Sequence, residues 1–292
     1  MTDNFVFFNN VQFTYPPLKE ECDENNTATK PVFDNFTAQL PGSFTSLVGP
    51  NGSGKSTFML LAAGRLAPTK GSVQLLGENI AQMDENQRNL IASFVYQNME
   101  FESTENTGSL LKKVFKNGGW NNPGGARDTS PARPDKNFLD ECITVFALEK
   151  LLNRQLNTLS KGEIQRTLLA FSLLYGCKSV FLDEPLFALE HHQKETALIY
   201  LQKYSIKYQI PFFISMHELA LTKKYAKTVL LFKPNRDMSY GSVDDVLTKE
   251  EIETAYGVPF AMMKDAEDVL HKNQLEEAAV IASLNKKTTN AL

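Results

Sequence analysis

The 292-residue sequence has few cysteines, a single tryptophan and no long run of apolar residues. Its three cysteines, Cys22, Cys142 and Cys177, are widely spaced and odd in number, which predicts neither a disulfide framework nor a zinc site and favours a reducing cytosol. The longest apolar stretches, such as 167–177, fall short of the roughly 20 residues that cross a bilayer. The first residues also lack the pattern of a signal peptide. We therefore expect a chain that is not exported and that meets a membrane only through a partner.

The sequence also lacks an excess of positive charge. Lys and Arg number 30 against 34 Asp and Glu, which gives a net charge of −4. Unselective nucleic-acid binding depends on the neutralisation of phosphates by basic side chains, so nucleic acid is not an expected partner. With 42% hydrophobic residues, the composition is that of a globular protein with a substantial core.

Short apolar runs rich in β-branched and aromatic residues alternate with helical patterns along most of the chain. Strands are predicted at 5–15, 32–40, 43–48, 91–96, 179–185, 211–215 and 228–232. A helical pattern follows at 58–66. Because helical segments separate most of these strands, the sequence predicts a mainly parallel sheet with helices on both faces.

The pattern changes between residues 98 and 159, where helical pieces are broken by Gly- and Pro-rich stretches at 116–125 and 130–134. This predicts an inserted helical unit with a long mobile loop. Contact with a partner and an idle surface insertion both remain open as explanations of the loop.

Three further segments complete the chain. The polar segment 18–31 predicts an exposed excursion. Capping-box patterns that begin at Ser242 and Thr248 predict two short helices. The tail at 265–284 has moderate helical character, and we assign it no chemistry.

Residues 49–56 have the pattern Gly-x-x-x-x-Gly-Lys-Ser between a predicted strand and a predicted helix, which is a phosphate-binding loop. Glycines let the backbone N–H groups turn towards a phosphate, and the helix that starts after Gly54 adds its positive N-terminal dipole. Lys55 is placed to neutralise β- and γ-phosphate oxygens, and the Ser56 hydroxyl to ligate Mg²⁺. The predicted nucleotide-binding residues of the loop are Gly49, Pro50, Asn51, Gly52, Ser53, Gly54, Lys55, Ser56 and Thr57.

The apolar run at 179–182 ends in two acids, Asp183 and Glu184. A carboxylate at the end of a buried strand beside the phosphate loop can hold Mg²⁺, and we assign this role to Asp183. Glu184 would then face the γ-phosphate and polarise the attacking water as a general base.

Together these motifs resemble those of the ATP-binding subunit of an ABC transporter, from about residue 5 to about residue 259. The resemblance implies an α/β P-loop NTPase fold of the ABC type, with a mainly parallel sheet core, helices on both faces, an N-terminal antiparallel β-part and an inserted helical subdomain. It divides the chain into the first part of the ATP-binding core at 1–97, the helical subdomain at 98–165, the second part of the core at 166–262 and a tail at 263–292.

The segment at 159–163, Leu-Ser-Lys-Gly-Glu, resembles the signature motif LSGGQ of that family. The resemblance implies that Ser160 and Gly162 contact the γ-phosphate of ATP held by the opposite subunit. Lys161 and Glu163 depart from the motif. The next family loop, SALD, corresponds to Phe-Ala-Leu-Glu at 187–190, where the acid is one methylene longer.

Three more residues match family positions. Gln97 resembles the family glutamine that approaches the metal and the attacking water. In the family, this glutamine also lies where the membrane partner docks. His217 resembles the switch histidine that contacts the γ-phosphate. Tyr15 resembles the aromatic residue that stacks on adenine, with Phe13 as the reserve candidate. The implied catalytic residues are Glu184, His217, Gln97 and Lys55, and the implied Mg²⁺ ligands are Ser56, Asp183 and Gln97.

The resemblance implies an ATPase with ATP and Mg²⁺ as cofactors, working as a pair of subunits, identical or different, on a separate membrane permease. It implies a cytoplasmic location on the inner face of the membrane. The stretches at 77–88 and 244–257 resemble those of importers for iron–siderophore, haem or cobalamin, which favours import and a solute-binding protein in the same system. The alternatives are a soluble ABC ATPase without a permease, as in iron–sulfur cluster assembly, and a non-hydrolysing regulatory module.

Overall fold

The computed structural model describes residues 5–16, 30–97, 99, 103–234 and 236–263. The strands are β1 (Val6–Phe13), β2 (Phe33–Leu40), β3 (Phe44–Val48), β4 (Lys70–Leu75), β5 (Ala92–Val95), β6 (Ser179–Leu182), β7 (Phe212–Ser215), β8 (Thr228–Phe232) and β9 (Met238–Ser242). The helices are α1 (Lys55–Ala62), α2 (Glu85–Ile91), α3 (Thr107–Asn117), α4 (Ala126–Thr129), α5 (Phe138–Val145), α6 (Lys161–Tyr175), α7 (His191–Tyr208), α8 (Leu219–Tyr225), α9 (Val243–Val246) and α10 (Lys249–Tyr256). No helix within these residues is long and apolar enough to span a membrane.

The strands form two sheets. The main sheet has the order β5-β6-β7-β3-β8-β9, and all its pairings are parallel except that of β9 with β8. The smaller sheet has the order β2-β1-β4 and is antiparallel. The predicted parallel core and N-terminal antiparallel part are therefore both confirmed.

Both faces of the main sheet are buried, as the uninterrupted apolar run of β6 predicts. Phe181 of β6 stacks on Phe213 of β7 at 4.9 Å between ring centroids, in a cluster that also contains Phe8 of the small sheet and Phe58 of α1. The alternate residue Leu182 faces a second cluster, which includes Leu111 and Phe138 of the inserted helices. The insertion thus packs through a continuous apolar core onto one face of the sheet, on the side opposite α1.

Two predicted ends were wrong. The helix begins directly after Gly54, as predicted, where the left-handed Gly54 (φ 104°) caps it, but it ends at Ala62 rather than at residue 66. The strand predicted at 179–185 ends at Leu182, because Glu184 has a positive φ of 48° that a strand cannot accommodate.

The prediction of a mobile loop at 116–125 was also wrong. The Trp120 side chain is buried, and its Nε1 donates a hydrogen bond to the Leu173 carbonyl at 3.0 Å. Gly119 N donates to the Tyr175 carbonyl at 2.6 Å. A β-carbon on Gly118 would lie 2.1 Å from that same carbonyl oxygen. The glycines therefore permit close packing against the end of α6.

The two helix starts predicted near the C-terminus are confirmed: the Ser242 side chain accepts from Asp245 N at the start of α9, and the Thr248 side chain accepts from Glu251 N at the start of α10. The excursion predicted at 18–31 lies outside the described residues except for residues 30 and 31. Cys22 and the tail predicted at 265–284 also lie outside them.

Candidate functional site

The phosphate loop connects β3 to α1 through glycines in conformations that other residues rarely adopt. Gly49, Gly52 and Gly54 all have positive φ values, of 141°, 75° and 104°. A β-carbon on Gly49 would lie 2.6 Å from the carbonyl oxygen of Phe232 at the end of β8. The neighbouring strand therefore fixes the first residue of the loop.

Lys55 is folded into this loop and buried. Its Nζ donates hydrogen bonds to the carbonyl oxygens of Gly49 at 2.8 Å and Pro50 at 3.0 Å. Burial lowers the pKa of Lys55, and the nearby carboxylates of Glu184 and Asp183 act in the opposite direction. Phosphate oxygens are stronger acceptors for an ammonium group than carbonyls, so Lys55 has the position and charge to bind a phosphate.

Asp183 and Glu184 follow β6 and share a partner on the next strand. Ser215 Oγ donates to Asp183 Oδ1 at 2.6 Å and accepts from the backbone N–H of Glu184 at 2.7 Å. Glu184 stands in the left-handed region, an uncommon conformation that the surroundings must maintain. Ser215 thereby fixes both acids. A serine at a strand end is too common for the sequence to mark this role.

The structure brings three predicted residues together at the Glu184 carboxylate. Gln97 Nε2 donates to Glu184 Oε2 at 2.6 Å, and His217 Nε2 lies 2.5 Å from Glu184 Oε1. Gln97, Glu184 and His217 follow β5, β6 and β7, which are adjacent parallel strands whose carboxyl ends meet at one edge. Each oxygen of the carboxylate thus has its own partner.

Tyr15 contacts the first turn of α1, directly after the loop. Its hydroxyl is 3.1 Å from Thr57 Oγ1, and its ring meets Phe13 edge-on at 4.9 Å. Tyr15 is 43% exposed, whereas Phe13 is 6% exposed and belongs to the core. An exposed ring can receive a base and a buried one cannot, so Tyr15 is the better placed of the two.

Most of the predicted site residues line one cavity of about 1040 Å³, whereas Gly49, Pro50, Ser53 and Asp183 are not part of its wall. Its walls include Tyr15, Asn51, Gly52, Gly54, Lys55, Ser56, Thr57, Gln97, Glu184, Phe187, Ser215 and His217. A β-carbon on Gly52 would meet nothing within 4 Å, so the loop opens into free space. The cavity size, the buried ammonium and the loop amides fit a nucleoside triphosphate.

The donor set beside Lys55 fits magnesium. Mg²⁺ prefers hard oxygen ligands and usually takes one or two carboxylates plus substrate phosphates and water. The Ser56 hydroxyl, the Asp183 carboxylate and the Gln97 amide oxygen are such ligands. No group of three or more His, Cys, Asp and Glu that could hold a metal occurs in the described part of the chain. A cation here would therefore depend on phosphate oxygens for the rest of its shell.

The structure does not bring Ser160 and Gly162 to this cavity. Ser160 is exposed and caps α6, where it forms a full capping box with Glu163. Ser160 N donates to Glu163 Oε2 at 2.7 Å, and Arg154 Nη1 lies 2.9 Å from Glu163 Oε1. The departure from LSGGQ at position 163 thus has a structural role.

Two features of the site were not predicted. Phe187 is 74% exposed although it is a large aromatic residue, and it lies on the cavity wall. Lys194 of α7 pairs with Glu218, the residue after His217, at 2.5 Å. This ion pair connects the helix after the 187–190 loop to the segment that carries His217, and charge pattern alone could not locate it.

Known proteins are similar to this chain in sequence and in fold. A family model described as ABC transporter matches residues 34–187, just over half of the chain. The hemin import ATP-binding protein HmuV of Gloeobacter violaceus is 29% identical over 232 residues, covering 77% of this chain and 81% of that protein. The molybdenum import ATP-binding protein ModC of Saccharophagus degradans is 26% identical over 237 residues, covering 79% of this chain and 61% of that protein.

Solved structures agree on the fold. A dimeric post-hydrolysis state of an ATP-binding cassette bound to ADP and phosphate has a TM-score of 0.64 at 20% identity, covering 82% of this chain and 98% of that one. An inward-facing putative metal-chelate type ABC transporter has a TM-score of 0.59 at 21% identity, covering 87% and 90%. The chain belongs to the ABC transporter family and is one of its ATP-binding, ATP-hydrolysing proteins.

Proposed function

We propose that this ATPase powers import of an iron complex, of the haem or iron–siderophore class, through a separate membrane permease. The ATPase activity in this proposal is supported by the position of the Glu184 carboxylate, which contacts Gln97 and His217 and lines the same cavity as the phosphate loop. The similarity to hemin import ATP-binding proteins supports the cargo class.

The proposed chemistry uses residues already in contact. Lys55 leaves the carbonyls of Gly49 and Pro50 to bind β- and γ-phosphate oxygens, and the loop amides surround the β-phosphate. Ser56, Asp183 and Gln97 would hold Mg²⁺, which neutralises phosphate charge when bound. Glu184 takes a proton as water attacks the γ-phosphorus, and the bond to the β–γ bridging oxygen breaks to leave ADP and phosphate. His217 holds the carboxylate on its other side.

The second half of the site comes, in this proposal, from another subunit. Ser160 and Gly162 lie outside the cavity of their own chain, at the exposed N-terminus of the 15-residue α6. The positive end of that helix favours a phosphate supplied by a second copy. ATP then holds two copies together, and loss of the γ-phosphate releases them.

Transport, in this proposal, requires a permease and a solute-binding protein and places the chain at the membrane. The permease would dock beside Gln97, which holds the chain at the cytoplasmic face of the membrane. A solute-binding protein would deliver the iron complex on the other side.

Purification from detergent-solubilised membranes tests this proposal. We expect a polytopic membrane protein to co-purify, and the reconstituted complex to accumulate haem or a ferric siderophore in vesicles when ATP is present. The complex with Glu184→Gln should assemble equally well and not transport. A fully active ATPase with no membrane partner would instead support a permease-free ABC ATPase, and accumulation of molybdate alone would disprove the cargo class.

A further inference from the structure

The C-terminal helix contacts the first residue of the phosphate loop. Tyr256 is the last residue of α10, and its hydroxyl accepts a hydrogen bond from the backbone N–H of Gly49 at 3.1 Å. The two residues are 207 positions apart in the sequence. This contact reaches the loop from outside the cavity, because Tyr256 is not part of the cavity wall.

Gly49 is the point at which several constraints on the loop meet. Its φ of 141° and the nearby Phe232 carbonyl leave no room for a side chain. Its own carbonyl accepts from Lys55 Nζ at 2.8 Å. A shift of this residue therefore changes both the direction of the loop and the position of Lys55.

The helix that carries Tyr256 is held in place by an ion pair, a hydrogen bond and apolar packing. Glu251 of α10 pairs with Lys233 Nζ at 2.8 Å and accepts from Ser239 Oγ at 2.9 Å. Ile252 and Ala255 are fully buried in a cluster that includes Val48, the residue before Gly49. The tyrosine hydroxyl is thus held against the loop by a helix that is packed on β8 and β9.

We propose that Tyr256 is a positioning residue for nucleotide binding. Its hydroxyl holds the Gly49 N–H, so that the loop is already ordered when a triphosphate arrives and the binding step carries less of the ordering cost. This inference rests on the proposed role of 49–57 as the phosphate loop, and it adds the C-terminal helix to the elements that set ATP affinity.

Tyr256→Phe tests the inference, because it keeps the ring and removes the hydroxyl that accepts from Gly49 N. A single hydrogen bond of ordinary strength predicts that Kd and KM for MgATP rise about fivefold. We expect kcat to stay within about twofold, since Glu184, Gln97 and His217 follow other strands of the sheet. Tyr240→Phe, in neighbouring β9, is the matched control and should leave Kd unchanged.

Kd is best measured by calorimetry in the Glu184→Gln background, where ATP persists, and KM and kcat in the parent chain. A lower melting temperature with unchanged Kd and KM would show that Tyr256 serves stability alone and would overturn the inference. Glu251→Ala, which loosens α10 without touching Tyr256, provides a second variant and should also raise Kd. Turnover retained by Glu184→Gln would count against the assigned general base and would leave the Tyr256 comparison in the parent chain intact.

Discussion

Gly162 packs so closely on Ala188 that a β-carbon on Gly162 would lie 2.8 Å from the Ala188 carbonyl oxygen. Gly162 belongs to the first turn of α6, and Ala188 to the loop that connects Glu184 to α7. The segment implied to act on the neighbouring copy is therefore in direct contact with the loop that follows Glu184, the proposed general base. A change in one must displace the backbone of the other.

Gly162→Ala should therefore impair catalysis more than folding. The new methyl pushes the 187–190 loop by several tenths of an ångström, and misplacement on that scale near the reacting groups is expected to lower turnover about tenfold. Alanine also favours helix by up to about 1 kcal/mol over glycine, which offsets part of the steric cost in stability. Lys161→Ala, whose parent side chain is exposed in the same turn, is the control for the melting temperature. Full turnover in Gly162→Ala would show that the contact is inert.

Glu184→Gln should abolish most turnover while keeping the fold of the site. The amide oxygen of the new side chain can still accept from Gln97, but it cannot take a proton from water. Loss of a general base predicts a decrease in kcat of about 100-fold or more. In the presence of MgATP, the variant should elute as a dimer in size-exclusion chromatography.

The matched change Glu149→Gln, at an exposed position of the helical unit, should leave turnover and elution unchanged. A Glu184→Gln variant that stays monomeric at saturating MgATP would contradict the shared-site mechanism. A variant that retains turnover would contradict the role of Glu184.

Much of the site could be predicted because its residues follow strands. Glycine turns and paired acids leave a local pattern, and adjacent parallel strands bring Gln97, Glu184 and His217 to one edge once the sheet order is given. Ser215 left no such signal, because a hydroxyl at the end of a strand has many ordinary uses. The contact of Tyr256 with Gly49 joins distant positions, and only the packing of α10 creates it.

The fold was predicted well where local chemistry decides it and poorly where tertiary packing does. Side-chain caps at Ser242 and Thr248 act within one turn, so both helices could be located. The Gly-rich segment around Trp120 has the composition of a loop, and its burial depends on the carbonyls at the end of α6.

Gly118→Ala is expected to destabilise the protein by about 1–3 kcal/mol, the usual range for an overpacked site. Gly118 has an ordinary φ of −82°, so backbone strain is not the cause. The cause is the Tyr175 carbonyl, which a β-carbon would approach to 2.1 Å. Gly241→Ala is the matched control, because its nearest neighbour is a methyl carbon of Val246 at 3.1 Å. Equal melting temperatures for the two variants would disprove the packing described for residues 118–125.

The capping box of α6 predicts that the stability of the protein depends on pH in the acidic range. The backbone N–H of Ser160 is the main cause that lowers the pKa of Glu163 below its ordinary value of 4.5, with the Ser160 side chain and Arg154 contributing. A carboxylate whose pKa is lower in the folded state than in the unfolded state stabilises the protein at pH values above the unfolded-state pKa. That contribution is lost as the pH falls below 4.5 towards the folded pKa.

Glu163→Ala should lower the free energy of unfolding by about 1 kcal/mol at pH 7, as for the loss of a helix cap, and the difference from the parent should shrink below pH 4.5. Glu163→Gln restores the family residue and keeps an acceptor for Ser160 N, so it should retain most of the capping and lose the ion pair with Arg154. Urea unfolding of the three proteins at pH 7 and pH 4 measures both effects. A difference between Glu163→Ala and the parent that is the same at both pH values would show that the carboxylate charge plays no part in the cap, since protonation would then change nothing.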